Sequence, residues 1–154
     1  MTAPFSPRVD QAVAMFDGGY SCAQALLATY GPDHGLDRET ALKVASPLAG
    51  GLSRTDGPCG AGTGALLVLG LVLGPTAPDD DLGRERIRRL SGEFLRRYAA
   101  SRGSTLCTDI LGHNLSLPGV ADKVKAEGLS KEPCPKAVRA AAEILETLLQ
   151  GELP

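Results

Sequence analysis

Tryptophan is absent from this chain of 154 residues, and its other aromatics are only three Phe and three Tyr. Single-stranded nucleic acid is held by stacking bases on aromatic faces, so a single-strand binder is not expected. Neither sign of charge dominates. Sixteen Lys and Arg against eighteen Asp and Glu leave a net charge of −2, which gives no electrostatic ground for binding nucleic acid or an anionic membrane surface. Long hydrophobic runs are also missing. The longest, Ala61 to Leu73, covers 13 residues with only Thr63 polar, whereas a membrane-crossing helix needs about 20. It reads as a buried helix. The opening residues from Met1 to Arg8 contain no apolar core of an export signal, so a cytoplasmic location is expected. Structural disulfides are rare there, and sets of cysteines more often bind metal or do redox chemistry.

Alternating strand patterns, low-complexity tracts, linkers and internal repeats are lacking too. What remains is helical periodicity over nearly the whole chain. Val9, Ala12, Val13 and Phe16 follow i, i+3, i+4, i+7 spacing. Gly18-Gly19 stops that helix, and Ser21 is placed to cap the next, which should end near Gly31-Pro32. Asp37 is placed to cap a third. Residues 52–59 read as a loop, and Gly60 to Leu73, apolar on all sides, reads as the central helix. Asp79, Asp80 and Asp81 suit the first turn of a long helix with Ile87, Leu90, Phe94 and Tyr98 as its buried stripe. A short segment at Cys107, a modest helix from Pro118 to Glu127 and a strongly amphipathic last helix follow. The expectation is a single domain over residues 1–154: all-α, a compact bundle of about six helices with short connections.

The chain has four cysteines, Cys22, Cys59, Cys107 and Cys134, at spacings of 37, 48 and 27 residues. Such spacings match neither zinc fingers nor ferredoxins, which use close pairs. Each cysteine nonetheless falls at or just before an expected helix start. There, unpaired N–H groups and a partial positive charge favour thiolate, the form that binds metals and reacts. Pro58 and Gly60 flank Cys59. Pro133 and Pro135 flank Cys134, and Pro135 suits the first helical position, which would leave Cys134 at the cap. Gly60 and Gly64 lie one turn apart on one face, a spacing that lets a backbone or a bulky cofactor come close. Free cysteine is also a common small core residue, but four of them in four such places point to one shared site.

Gly19-Tyr20-Ser21-Cys22-Ala23-Gln24-Ala25, Cys59-Gly60-Ala61-Gly62-Thr63-Gly64, Cys107-Thr108-Asp109-Ile110-Leu111-Gly112, and Cys134 opening a C-terminal helix together carry a family resemblance. The chain resembles the redox-active family named for its C…GCAxxG…C…C pattern, over about residues 8–150. Ser53 and Asp56 stand where that pattern favours glycine. The resemblance implies an all-helical domain with a redox role and a four-cysteine iron–sulfur or other metal site. The metal ligands would be Cys22, Cys59, Cys107 and Cys134, with Gly60, Ala61 and Gly64 beside the cofactor.

Two-iron and four-iron clusters take four thiolates from scattered segments. Zinc does so mainly in small domains that need it to fold. The expected function is therefore a small redox protein with an iron–sulfur cluster, used in electron transfer or as a redox accessory. A thiol–disulfide protein using cysteine pairs and a zinc-stabilised interaction module are the alternatives. A redox protein is the expected partner, a homodimer is compatible with the size, and neither nucleic acid nor membrane is expected. Arg54, ahead of Cys59, could neutralise a cluster or bind an anion. His113, His34 and Tyr20 read as capping, loop and packing residues. The arginines from Arg84 to Arg97 read as a solvated helix face, with Glu85–Arg89 and Glu93–Arg97 as pairs.

Overall fold

Local side-chain caps decide where half of the eight described helices begin. The computed structural model describes residues 5–152, and these are helical, with no β-strand among them. The helices are α1 (Pro7–Asp17), α2 (Cys22–Tyr30), α3 (Arg38–Ala45), α4 (Gly60–Leu73), α5 (Asp81–Arg102), α6 (Cys107–Leu111), α7 (Val120–Glu127) and α8 (Pro133–Glu152). Ser21 and Gln24 form a reciprocal capping box at α2. The Asp37 carboxylate accepts from the Thr40 N–H, and that of Asp80 accepts from the Gly83 N–H.

The class is all-α as expected, with eight helices among the described residues instead of about six. The short α6 and α7 make the difference, and glycines in the left-handed region bound both: Gly112 after α6, Gly119 and Gly128 around α7. Three boundaries also differ from expectation. Asp80 is the cap of α5, so only Asp81 lies in its first turn. Helix α7 begins at Val120, after Gly119, and not at Pro118. Pro133 opens α8, so Cys134 sits inside the first turn and is not its cap.

Helix α4 packs against α2, α5 and α8. Its Ala61, Ala65, Val68 and Leu69 are fully enclosed, but Leu71 is 37% exposed, so one flank of the central helix meets solvent. Gly64 explains the closest contact. A Cβ built there would lie 2.9 Å from the Ala23 carbonyl oxygen and 3.0 Å from the Ala23 Cα on α2. The stripe of α5 is buried at Leu90, Phe94 and Tyr98, and α8 buries Val138, Ala141, Ala142, Leu145, Leu148 and Leu149. On α5, Glu93 pairs with Arg97 and also with Arg96, whereas Arg89 pairs with Glu152 of α8 and not with Glu85.

The segment expected as an irregular loop contains a left-handed helical turn. Gly50, Gly51, Leu52, Ser53 and Arg54 have φ of 68°, 75°, 56°, 58° and 63°. Ser53, Arg54 and Thr55 donate their N–H groups to the carbonyls of Ala49, Gly50 and Gly51. A left-handed turn costs about 1–2 kcal/mol per L residue, so it persists only where its surroundings hold it. Here the Ser53 hydroxyl donates to the Pro47 carbonyl at 2.6 Å and the Thr55 hydroxyl to that of Leu52 at 2.7 Å. Ser53 and Asp56, where the family pattern favours glycine, both have positive φ. At Gly51 glycine is required by space as well. A Cβ would lie 2.8 Å from the Cys107 Cβ and 2.8 Å from the Gly57 carbonyl oxygen.

Candidate functional site

Cys22, Cys59, Cys107 and Cys134 all line one cavity of about 430 Å³, and all four are free thiols. Cys22 is the first residue of α2, Cys59 precedes α4, Cys107 is the first residue of α6, and Cys134 is the second residue of α8. Four helix starts thus converge on the cavity. The capping box places Cys22. Pro58 and Leu106 form an isolated antiparallel bridge, flanked by the Cys59 N–H to the Thr105 carbonyl at 2.7 Å and the Cys107 N–H to the Gly57 carbonyl at 3.0 Å. This short pairing ties Cys59 to Cys107 across 48 residues of chain.

The sulfurs are not equivalent. The Cys59 side chain is buried, which by itself disfavours a thiolate. Yet its pKa is held down at about 6, first by the Cys22 thiol hydrogen-bonded to it, then by the Tyr98 hydroxyl and by the Ala61 and Gly62 amides at the start of α4. Cys59 makes no regular capping bond, so those amides act as oriented dipoles on the sulfur. The Tyr98 hydroxyl donates to the Cys59 Sγ at 3.1 Å, and its own pKa is pushed up by burial and by the Cys59 charge. Cys22 is the proton holder of the pair, pushed well up by its bond to Cys59 and by burial. Burial and the Cys59 charge raise Cys107 to about 11 and Cys134 to about 12. Cys59 is thus the sulfur held toward thiolate, and the other three are held toward thiol.

Gly60 keeps the first two sulfurs close. A Cβ built on it would lie 2.6 Å from the Cys22 Sγ. Ala61 is fully buried beside it. Gly64 meets the backbone of α2, so the close approach expected there is that of a helix. Arg54, carried by the left-handed turn, lines the cavity. His113 and His34 do not line it. Tyr20 lies at the surface with the Arg38 guanidinium 5.3 Å above its ring.

Two kinds of residue escaped sequence reasoning. Tyr98 read only as core, although a hydroxyl on an otherwise apolar stripe needs a buried partner. Lys125 and Lys131 also line the cavity, and no local pattern marks them.

Four thiols on one cavity match the donor number and type that an iron–sulfur cluster takes, the Tyr98 hydroxyl supplies a hydrogen bond to sulfur, and the amides at the start of α4 add oriented dipoles. Among the described residues no three His, Cys, Asp or Glu side chains stand together as ligands of a single metal ion. No described helix is long and apolar enough to cross a membrane.

A family model described as "Putative redox-active protein (C_GCAxxG_C_C)" matches residues 20–148. No curated protein and no solved structure matches the chain. The match spans most of the sequence and contains all four cysteines, so the chain belongs to this redox-active family.

Proposed function

We propose that this protein is a small redox protein whose working group is an iron–sulfur cluster held by Cys22, Cys59, Cys107 and Cys134. The observation that carries this reading is the convergence of all four cysteines on one cavity, from four separate helix starts. When bound, such a cluster supplies one-electron transfer. The chain's own part is to present four sulfurs, to keep one of them as thiolate before the metal arrives, and to donate hydrogen bonds from Tyr98 and the start of α4. A cluster spreads its ligands over several iron atoms, so donors set around a cavity suit it better than they suit one zinc ion. The role is electron transfer or support of another redox protein, in the cytoplasm.

Anaerobic purification, with visible absorption and iron and sulfide per chain, tests the proposal. Charge-transfer bands and stoichiometric iron are expected for the wild type. Cys59→Ser is expected to lose both. Wild-type iron content in Cys59→Ser would overturn the ligand assignment.

One relationship favours a second reading, thiol–disulfide exchange: Cys22 and Cys59 share the cavity, and Cys22 is the first influence that holds the Cys59 pKa down. Cys59 would attack one sulfur of a substrate disulfide, forming a mixed disulfide as the other sulfur leaves and takes up a proton. Cys22, giving up its proton, would then attack Cys59. A Cys22–Cys59 disulfide would form, and the second substrate thiol would be released, with two electrons passed to the substrate. Colourless protein that loses two thiols on mild oxidation, reversibly, would select this reading.

A further inference from the structure

The cavity's charge is one-sided. Arg54 comes from the left-handed turn, Lys125 from α7 and Lys131 from the segment before α8, and all three line it. Among the described residues that line it, there is no Asp or Glu. Elsewhere the cations are mostly paired: Arg8, Lys43, Arg89, Arg96, Arg97, Lys136 and Arg139 each reach a carboxylate within 3.0 Å. Arg54, Lys125 and Lys131 have no ion-pair partner among the described residues. The remaining wall is largely apolar, with Phe16, Ile110, Leu111, Leu115 and Val124. At about 430 Å³ the space is in the range of small-molecule sites, which combine an apolar lining with a few placed polar groups.

From this arrangement we infer that the ligand reaching the cysteines is a small anion with an apolar body, its charge met by Arg54, Lys125 and Lys131. The inference rests on reading the cavity as the redox site. It does not depend on whether the sulfurs carry a cluster or exchange disulfides. Three unpaired cations around a low-dielectric cleft concentrate anions and repel cations, and the apolar wall rejects a fully hydrated one.

The test compares two alkylating probes on the reduced, metal-free full-length chain, iodoacetate and neutral iodoacetamide. Both form a thioether with a cysteine sulfur and release iodide, and peptide mass mapping locates the modified residue. The iodoacetate-to-iodoacetamide rate ratio at the cavity cysteines should exceed that of free cysteine by about tenfold and fall with added salt. The triple variant Arg54→Gln, Lys125→Gln, Lys131→Gln should return the ratio to that of free cysteine, while its iodoacetamide rate, taken at a pH where Cys59 is fully ionised in both proteins, stays unchanged and reports that the site is intact. Lys43→Gln, paired with Glu39 on α3, should keep the wild-type ratio. Phenylacetate should protect the cysteines better than acetate or phenylacetamide does. A free-thiol ratio in the wild type, a wild-type ratio in the triple variant, no alkylation at the cavity, or equal protection by all three would each overturn the inference. Failure of the cluster reading would appear in the visible spectrum and iron content and would leave the rate ratio untouched.

Discussion

The Tyr98 hydroxyl donates to the Cys59 sulfur across 3.1 Å, from a side chain with no solvent exposure at all. The ring is held by packing, with Phe94 stacked at a centroid distance of 5.7 Å. The contact therefore joins a core residue of α5 to the one sulfur whose pKa is lowered. A hydrogen bond to a charged acceptor is stronger than one between neutral groups, and the Tyr98 side chain is fully buried.

Tyr98→Phe removes that donor and keeps the ring. In reduced, metal-free protein the Cys59 pKa should rise from about 6. Cys22→Ala should raise it further, because the Cys22 thiol is the larger influence. The iodoacetamide rate at Cys59 followed against pH reads both shifts. Tyr98→Phe should cost about 1 kcal/mol of stability. An unchanged pH profile would show that the hydroxyl does not act on the sulfur.

Stability of the reduced, metal-free protein should peak near pH 9. Cys59 has a folded pKa of about 6 against an ordinary 9.0. Its contribution is complete above about pH 9 and is lost as pH falls through about 6. Cys107 and Cys134 are displaced the other way, to about 11 and about 12. Their contribution is complete below about pH 9 and is lost as pH rises through those values. Urea midpoints measured from about pH 5 to about pH 11 should trace this rise and fall.

Gly60→Ala and Gly64→Ala should separate site from fold. At Gly64 the new methyl would meet Ala23 backbone that cannot yield. An overpacking cost of about 1–3 kcal/mol then outweighs the gain in helix propensity of about 1 kcal/mol. At Gly60 the methyl meets the Cys22 sulfur, which can swing away. That variant should keep more of its stability but lose the lowered Cys59 pKa and the bound iron. The reverse ranking in thermal midpoint would contradict the packing.

Far from the cysteines, Glu146 of α8 is buried and fastens the start of the chain. It accepts from the Tyr30 hydroxyl at 2.9 Å and from both the backbone N–H and the hydroxyl of Ser6. Glu146→Ala leaves the Tyr30 hydroxyl buried and unpaired, at a cost of about 2–3 kcal/mol, seen as a fall of about 5–10 °C in thermal midpoint. Glu146→Gln retains an acceptor and should lose less. Neither change should alter the chemistry of the cavity.

How much of this was legible in the residues follows the range of the forces involved. Capping bonds span three residues, so Ser21, Asp37 and the apolar stripe of α8 announced their helices, and the four cysteines announced four helix starts. The order of the first turn at Cys134 was misjudged because Pro133 and Pro135 both suit a helix beginning, and only the Cys134 N–H bonding to the Ser130 carbonyl shows where the helix begins. The left-handed turn at residues 50–54 lacked a local signature beyond Gly50-Gly51, since Leu52, Ser53 and Arg54 take that conformation only because neighbours hold it. Residue patterns within the span of a helix turn or a short motif carried the helical class and the family. Tertiary structure decided which sulfur is charged and what surrounds it. A pKa depends on groups within a few ångströms in space, and those groups, Tyr98 from 39 residues away and Cys22 from 37, reach Cys59 only when the bundle closes.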